Sequence, residues 1–436
     1  MPHWCTRLSN RKGVALILTA MVSTFLLGLM NGFFVISANQ NRLVDIFDRR
    51  TQAYYLASSG LDRAIYWLRA QPAPPEGNST DPWGGGAQVL GGGTYTVTIT
   101  DLGVVGGEGS SIRRYRVTSA GSFGNTTRNL TNYVQADSYA RYLWFTNAEV
   151  FGSSNVWFWS QDFLTGTMHT NAHLNIFGNP YFGGEASSTD DYIKFYNNGS
   201  SVNLSQTANA PYDNPTFVQG MQFGTEATTM PSQALNLRAA ASSGGLALKG
   251  NTTIVMNTDG TINVTNAAKS WDNQNMSLPA NGALFVNKGT LSVSGALNGR
   301  LTIGASKEVI ITNNVTYASD PEDDPSSDDV LGIISEADVV IDDGAPSDLE
   351  INACIMALNT SFMMENWNVG PPKGTLTVYG GIIQDERGPV GTFNGSTGTK
   401  LSGYSKNYSY DPRLLATPPP FMPTTGDYIT LSWQEN

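Results

Sequence analysis

Hydrophobic and polar positions divide the chain into three regions with different periodicities. Residues 14–38 form an apolar run without a single charged side chain. From Asn39 to Gln71 there is no proline, and apolar residues recur at intervals of three, four and seven along one helical face. We therefore predict one continuous helix over residues 14–71, apolar in its first half and amphipathic in its second. The rest of the chain predicts β-structure, so the fold class is mainly β with one long N-terminal α-helix.

Two β-regions follow the helix. Residues 72–93 are rich in proline and glycine and predict a linker, because proline ends a helix and glycine turns the chain. Three runs within 94–136 alternate polar and apolar residues, as strands of an antiparallel sheet do; they are residues 94–100, 113–119 and 127–134.

Short strands without helices between them predict the architecture of residues 137–436. The clearest are residues 283–286, 291–294, 301–303, 309–311, 331–334, 339–341, 349–351 and 376–379. Short, evenly spaced strands are typical of a solenoid, so we predict a right-handed parallel β-helix. An antiparallel sandwich or a propeller is the alternative.

The apolar run is long enough to cross a bilayer, which takes roughly 20 residues as a helix. Arg7, Arg11 and Lys12 precede it, and the first acidic residue is Asp45. Basic flanks stay in the cytoplasm, so we expect a single pass with the C-terminus outside the cytoplasm. An uncut anchor is one alternative. A cleaved signal peptide is another, although its apolar region would be only about 7–15 residues long.

The residues around Gly13 carry a resemblance to a known family. Arg11-Lys12-Gly13, followed by Val-Ala-Leu-Ile-Leu, resembles the class III signal of type IV prepilins and type II secretion pseudopilins. The resemblance implies that a prepilin peptidase of the inner membrane removes the leader, residues 1–13, and leaves Val14 as the mature N-terminus. Within the mature helix, Leu16, Leu18, Gly28 and Gly32 are the expected membrane and filament contacts.

A departure from the general pilin pattern makes the chain resemble minor pilins more than other pilins. Most pilins have Glu at the fifth mature position, where this chain has Leu18. Minor pilins of the PilX type tend to lack that Glu, and residues 48–61 resemble their conserved segment, except for Ser58 where the family has Glu. This resemblance implies a subunit at the filament tip. Segments such as Gly299-Arg-Leu-Thr-Ile303 and Asp329-Val-Leu-Gly-Ile-Ile334 carry a second resemblance. Through them, residues 169–433 resemble a C-terminal domain of unknown function that is often fused to PilX-like N-termini in bacterial envelope proteins.

Composition restricts the partners. The net charge is −11 and the pI is about 4.7, which argues against nucleic acid as a partner because nucleic acid binds basic surfaces. Few charges and 46 glycines suit an extracellular β-protein with many turns. Cys5 lies in the predicted leader, and Cys354 lies in an apolar segment where a buried, inert thiol is expected.

Three clusters are candidate sites. His169 and His173 could hold zinc on a helix, but their segment predicts a strand and turn, which favours structural hydrogen bonds. An acidic loop is a candidate calcium site, although it lacks the glycine and closing Glu of an EF-hand; its residues are Asp320, Glu322, Asp323, Asp324, Asp328 and Asp329. No other cofactor is expected.

The third cluster is aromatic and basic; it could stack on sugars or bases, although packing as a cap on the last coil is favoured. Its residues are Tyr404, Lys406, Tyr408, Tyr410 and Arg413. The sequence thus predicts a minor pilin-like, non-enzymatic subunit that partners other pilins and displays a solenoid for adhesion, with surface polysaccharide as a candidate ligand. An uncut envelope anchor is the second hypothesis. A carbohydrate-active β-helix enzyme, drawing on Asp338, Asp342 and Arg387, is the third.

Overall fold

The computed structural model describes residues 10–71, 73–80, 82–84, 86–107, 109–110, 112–395 and 397–435, with the side chains of 10–12 and 80 left aside. Most of the predicted leader, including Cys5 and Arg7, lies outside these residues. The helices are α1 (Asn10–Arg69) and α2 (Leu235–Ser242). The fold is mainly β with one long N-terminal helix, as predicted.

The strands, in chain order, are β1 (Ser79–Thr80), β2 (Gln88–Leu90), β3 (Gly93–Val104), β4 (Arg113–Phe123), β5 (Thr126–Ser138), β6 (Trp144–Ala148), β7 (Val150–Phe151), β8 (Ser154–Asn155), β9 (Phe158–Trp159), β10 (Phe163–Leu164), β11 (Met168–Thr170), β12 (Asn175–Phe177), β13 (Tyr181–Phe182), β14 (Ala186–Ser188), β15 (Ile193–Phe195), β16 (Val202–Leu204), β17 (Thr216–Phe217), β18 (Met221–Gln222), β19 (Leu246–Lys249), β20 (Thr252–Met256), β21 (Thr261–Asn266), β22 (Trp271–Ser277), β23 (Ala283–Asn287), β24 (Leu291–Leu297), β25 (Arg300–Ala305), β26 (Val309–Tyr317), β27 (Val330–Ser335), β28 (Val339–Ile341), β29 (Leu349–Ala357), β30 (Phe362–Met364), β31 (Pro372–Glu386), β32 (Gly391–Phe393), β33 (Lys400–Tyr410) and β34 (Thr424–Glu435).

The second half of α1 packs on an antiparallel sheet. Strands β3, β4 and β5 pair in chain order, which matches the predicted meander. Helix residues from Ala53 to Leu68 contribute a buried stripe against this sheet, including Leu56 and Leu61. Each fully buried leucine is worth roughly 1.5–3 kcal/mol relative to an exposed one, so this stripe fixes the helix on the sheet. The predicted linker contains two short strands, since β1 and β2 both pair with β3.

The last strand returns to this first sheet. β34 pairs antiparallel with β5, and the ring of Trp433 lies 6.4 Å from that of Tyr54 on the helix. The segment assigned by sequence to a separate unit over 137–436 therefore ends earlier, and residues 424–435 belong to the helix-and-sheet unit. The intervening chain is inserted between two neighbouring strands of that sheet.

The inserted unit contains a row of parallel strands that we call the long stack. Its members, in spatial order, are β19, β23, β25, β27, β29, β31, β6, β11, β14 and β18. Two further parallel rows accompany it. One joins β20, β24, β26, β28 and β30, and the other joins parts of β26, β29, β31, β33, β10, β13 and β17.

The order of the long stack differs from the order of the chain. The chain enters at β6, in the interior of the row, and proceeds outward to β18. It then crosses through α2 to β19 at the opposite end and returns to β31, which pairs with β6 through Ile382 and Trp144. We call this pairing the seam. It joins residues more than 230 positions apart, and the candidate site lies beside it.

Candidate functional site

A cavity of about 360 Å³ opens beside the seam, and we call it the aromatic cavity. One part of its wall comes from the N-terminal half of the inserted unit, namely the β7–β8 hairpin and the segment that leads into β9. The other part comes from the C-terminal half, namely the β32–β33 hairpin and the turn that carries Trp367. The cavity therefore exists only because two distant parts of the chain meet.

Pairs of aromatic rings form the walls of the aromatic cavity. Trp159 and Phe393 stack with their ring centroids 4.5 Å apart. Phe151 and Trp367 meet edge to face at 6.1 Å, as do Trp157 and Tyr196 at 5.5 Å. Such contacts hold large rings in fixed orientations, so the walls are preformed surfaces.

Arg387 forms the charged floor of the aromatic cavity. Its side chain is only 1% exposed, and its Nη1 donates to Glu149 Oε2 at 2.9 Å. The guanidinium lies 3.5 Å from the ring centroid of Phe158 and 5.1 Å from that of Trp144. Burying a charge is costly unless it is paired, so this arrangement requires Glu149, which also accepts hydrogen bonds from Trp144 Nε1 and Thr146 Oγ1.

A second ion pair adjoins the first. Lys406 Nζ donates to Asp162 Oδ2 at 2.7 Å, and Arg387 Nη2 lies 3.7 Å from the same oxygen. Burial lowers the pKa of Lys406, and the Asp162 carboxylate opposes that shift. The other oxygen of Asp162 is buried and has no hydrogen-bond partner within the described residues. Both pairs join the two halves of the inserted unit across the seam.

The predicted aromatic and basic patch divides in the structure. Tyr404, Lys406 and Tyr408 lie at alternate positions of β33 and line the aromatic cavity. Tyr410 instead donates through its hydroxyl to Ala140 O at 3.0 Å. Arg413 pairs with Asp411 at 2.7 Å and donates to Ser327 O at 2.8 Å. Three of the five residues therefore share one site, and the other two connect β33 and the following turn to neighbouring loops.

The two histidines have separate partners. His169 Nδ1 lies 2.9 Å from Ser187 Oγ, and His173 Nδ1 lies 2.9 Å from Asp190 Oδ2. Among the residues that the structure describes, no group of three His, Cys, Asp or Glu side chains is arranged to hold a metal ion. The hydrogen bonds are those expected from the strand-and-turn prediction.

The environment of His169 fixes its tautomer. The amide nitrogen of Asn171 donates to Asn147 Oδ1 at 2.6 Å and to Thr228 O at 2.7 Å. Its amide oxygen therefore faces His169 Nε2, 2.9 Å away, and that nitrogen carries the proton. Burial lowers the pKa of His169, which favours the neutral ring.

Three carboxylates of the acidic loop accept hydrogen bonds from backbone N–H groups. Asp329 accepts from the backbone N–H groups of Gly299 and Ser319 at 2.6 and 2.9 Å. Asp320 and Asp324 accept from backbone N–H groups two residues further along. These bonds hold the turns of the loop, and calcium binding at residues 320–329 remains a prediction.

The three residues that were candidates for a carbohydrate-active site do not form one cluster. Asp338 accepts from the Ser361 N–H at 3.0 Å and Asp342 from the Gly344 N–H at 2.8 Å, whereas Arg387 pairs with Glu149 and Asp162. Cys354 is buried, and burial raises the pKa of its thiol.

The main residues of the aromatic cavity and its ion pairs that the sequence analysis missed are Trp367, Phe393 and Glu149. The cluster of Trp144, Trp157 and Trp159 was the available signal.

Comparison with known proteins gives limited coverage. A family model described as a domain of unknown function (DUF4900) matches residues 94–190, from β3 to the loop after β14. We had predicted a resemblance to a domain of unknown function over residues 169–433, and the matched residues overlap that region only at its start. No curated protein matches the chain.

One solved structure similar to this chain is the competence-associated pilin ComZ from Thermus thermophilus. The sequences are 11% identical, and the alignment covers 89% of this chain and 97% of ComZ with a TM-score of 0.34. At that TM-score the likeness gives no basis for assigning function.

Proposed function

We propose that this protein is a minor pilin-like subunit of a type IV pilus or related filament, placed near the tip, which displays its inserted unit for adhesion or ligand binding. The observation that carries the proposal is the contrast between the two halves of α1. Large apolar side chains from Val14, 63% exposed, to Phe47, 68% exposed, are not buried by the described residues. From Ala53 to Leu68 the same helix is seated on the sheet.

An exposed apolar helix requires a nonaqueous environment. The helix Gly13–Arg69 is the one candidate membrane span among the described residues. A bilayer could cover its first half before assembly, and the helices of other pilins could cover it afterwards, because both are apolar surroundings. The chain would thus wait in the inner membrane with its β-units outside the cytoplasm, and would then reach the cell surface in the filament.

The absence of Glu at Leu18 supports a position at the tip. In pilins this Glu is thought to pair with the N-terminal amine of a neighbouring subunit, and Leu18 offers no charge for that pairing. Partners in this proposal are other pilins, the prepilin peptidase and, for the inserted unit, surface polysaccharide. The three rows of parallel strands support the further proposal that the inserted unit is a right-handed β-solenoid.

Processing at Gly13 tests the proposal. In its native cell envelope we expect the mature chain to begin at Val14, as measured by intact mass and N-terminal sequencing. Gly13→Leu should retain the leader, whereas the matched change Gly28→Leu, in the same helix and also without neighbours within 4 Å, should be processed normally. A chain that begins at Met1 would exclude a prepilin and leave an uncut anchor. One that begins near Asn39 would indicate a secreted protein.

Position in the filament needs a second measurement. Immunogold labelling of sheared filaments with an antibody against the inserted unit should mark filament ends. Labels distributed along the length would contradict tip placement while keeping the protein in the filament. Filaments without label would contradict membership itself.

A further inference from the structure

We propose that the aromatic cavity binds a saccharide unit that carries a carboxylate group. This inference deepens the binding part of the proposed function and rests on it only for the display of the site at the cell surface. It does not depend on filament assembly, since the cavity lies in the inserted unit and is complete within one chain.

The walls fit the apolar face of a sugar ring. The C–H groups on one face of a pyranose pack against aromatic rings, and Trp offers the largest such surface. Phe151 and Trp367 form one contacting pair in the lining, and Trp159 and Phe393 form another, so more than one aromatic surface is available to a sugar ring. A volume of about 360 Å³ lies at the lower end of the roughly 300–1,000 Å³ typical of ligand pockets. That size suits a short saccharide.

Polar groups without partners favour a ligand that carries hydroxyl groups. The indole N–H groups of Trp157, Trp159 and Trp367 donate to no acceptor within the described residues, whereas the Trp144 N–H is bonded to Glu149 at 3.1 Å. The side chain of Asn155, at the rim, has no hydrogen-bond partner in the same part of the chain. Free donors beside aromatic faces are what sugar hydroxyls require, and a purely apolar ligand would leave them unused.

The charge of the lining selects an acidic ligand. Arg387, Lys400 and Lys406 line the aromatic cavity, and no Asp or Glu of the described residues does. Arg387 and Lys406 are neutralised from behind by Glu149 and Asp162. The excess positive charge therefore comes from the remaining cation.

Lys400 is that cation. It lies opposite Phe393 in the β32–β33 hairpin, and its ammonium donates to Lys373 O, Gly374 O and Ser405 Oγ, all of them neutral. It forms no ion pair within the described residues; burial lowers its pKa, and the charge of Asp348, which lies beyond ion-pair distance, opposes that shift. A carboxylate on the ligand would supply a direct counterion by replacing one of the three neutral acceptors of the ammonium.

Calorimetric titration of the purified full-length chain in detergent tests the proposal. The probes are digalacturonate and its dimethyl ester, which keeps the rings and hydroxyls but removes the charge. We expect the acid to bind about tenfold or more tightly than the ester, because a charge-assisted contact is lost. The difference should shrink at high salt, since screening weakens the attraction of a partly exposed cation.

Two variants locate the binding site. Trp367→Ala removes one wall, and Lys400→Met removes the unpaired charge. Each should weaken digalacturonate binding about tenfold, and Lys400→Met should also abolish the preference for the acid over the ester. Matched controls outside the cavity are Trp271→Ala and Lys307→Met, which should bind as the native chain does. Circular dichroism of every variant checks that the fold is retained, and Trp367→Phe provides a conservative second variant at the wall.

Several results would overturn the inference. Equal affinity for acid and ester, or tighter binding of a sulfated disaccharide, would refute the carboxylate. Binding of phenylpropionate without binding of either saccharide would refute the sugar. Loss of binding in the control variants but not in Trp367→Ala or Lys400→Met would place the site elsewhere. None of these results bears on processing at Gly13, so failure of the cavity and failure of the filament proposal are distinguishable.

Discussion

Gly121 of β4 lies directly against the backbone of α1 at Ala57. A Cβ placed on this glycine would overlap the Ala57 nitrogen and the Ala53 carbonyl oxygen. The helix presents small residues along this line, with Gly60 next to Ser119 on the same strand. The close approach of helix and sheet therefore depends on the absence of side-chain volume on both surfaces, which explains the small residues Ala53, Ala57 and Gly60 at helical spacing.

Replacing Gly121 with Ala should loosen the helix from the sheet. We expect a destabilisation of about 1–3 kcal/mol, because the clash is with backbone atoms that cannot rotate away. Hydrogen exchange of the full-length chain in detergent measures it, as faster exchange across β4 and β5. Ala120→Ser, one position away on the opposite face of the strand, should leave exchange unchanged; equal effects from both variants would contradict the packing argument.

Replacing Arg387 with Met should destabilise the inserted unit strongly. Two buried carboxylates, those of Glu149 and Asp162, would lose a cation, and breaking such a pair costs about 3–5 kcal/mol. Urea unfolding of the full chain gives the measurement. Adding Glu149→Gln to Arg387→Met should recover part of the loss, since one unpaired charge is removed. Strict additivity of the two changes would show that the residues do not interact.

The stability of the inserted unit should decrease as the pH falls through the range below 6.5. Burial holds the pKa of His169 below its ordinary value of 6.5. Between the lowered pKa of the folded chain and the ordinary pKa of the unfolded chain, the unfolded chain binds a proton that the folded chain does not. The free energy of unfolding therefore declines by up to about 1.4 kcal/mol for each pH unit of acidification in that range. The hydrogen bond with Asn171 opposes this shift of the pKa of His169, and the positive charge of Arg141 adds to it.

The change His169→Gln should flatten this pH dependence. Urea midpoints at pH 7.5, 6.5 and 5.5 would be compared for the native chain, His169→Gln and the control His173→Gln, which should retain the decline. An unchanged slope in His169→Gln would mean that other groups cause the acid sensitivity.

Tyr404 makes the aromatic cavity sensitive to alkali. Burial raises the pKa of its hydroxyl to about 12, and that hydroxyl donates to Pro346 O at 2.6 Å. The unfolded chain ionises at about 10. The protonated Tyr404 hydroxyl therefore contributes its full stabilisation below pH 10, and this stabilisation is lost as the pH rises towards 12. In Tyr404→Phe, unfolding midpoints should fall less between pH 9 and 11 than in the native chain, and a parallel fall in both would contradict the assignment.

The sequence by itself determined the local elements. The uncharged run and the three-four periodicity gave α1, because a helix buries a stripe that recurs with its own turn. Alternation gave β3, β4 and β5, since adjacent residues of a strand point to opposite faces. The predicted strands from 283 to 379 all lie within strands of the structure. The tryptophans near residue 157 were visible as a cluster, and Lys406 and Tyr408 as an aromatic and basic group.

Tertiary structure alone decided which strands became neighbours. Backbone hydrogen bonds between strands depend little on residue type. The local sequence therefore does not predict that β34 pairs with β5 or that β31 pairs with β6. Arg387 could pair with Glu149 only once the chain had closed the seam, since the two are 238 positions apart. The aromatic cavity arises from the same closure. Its residues could be suspected from their types, but their assembly depends on long-range packing.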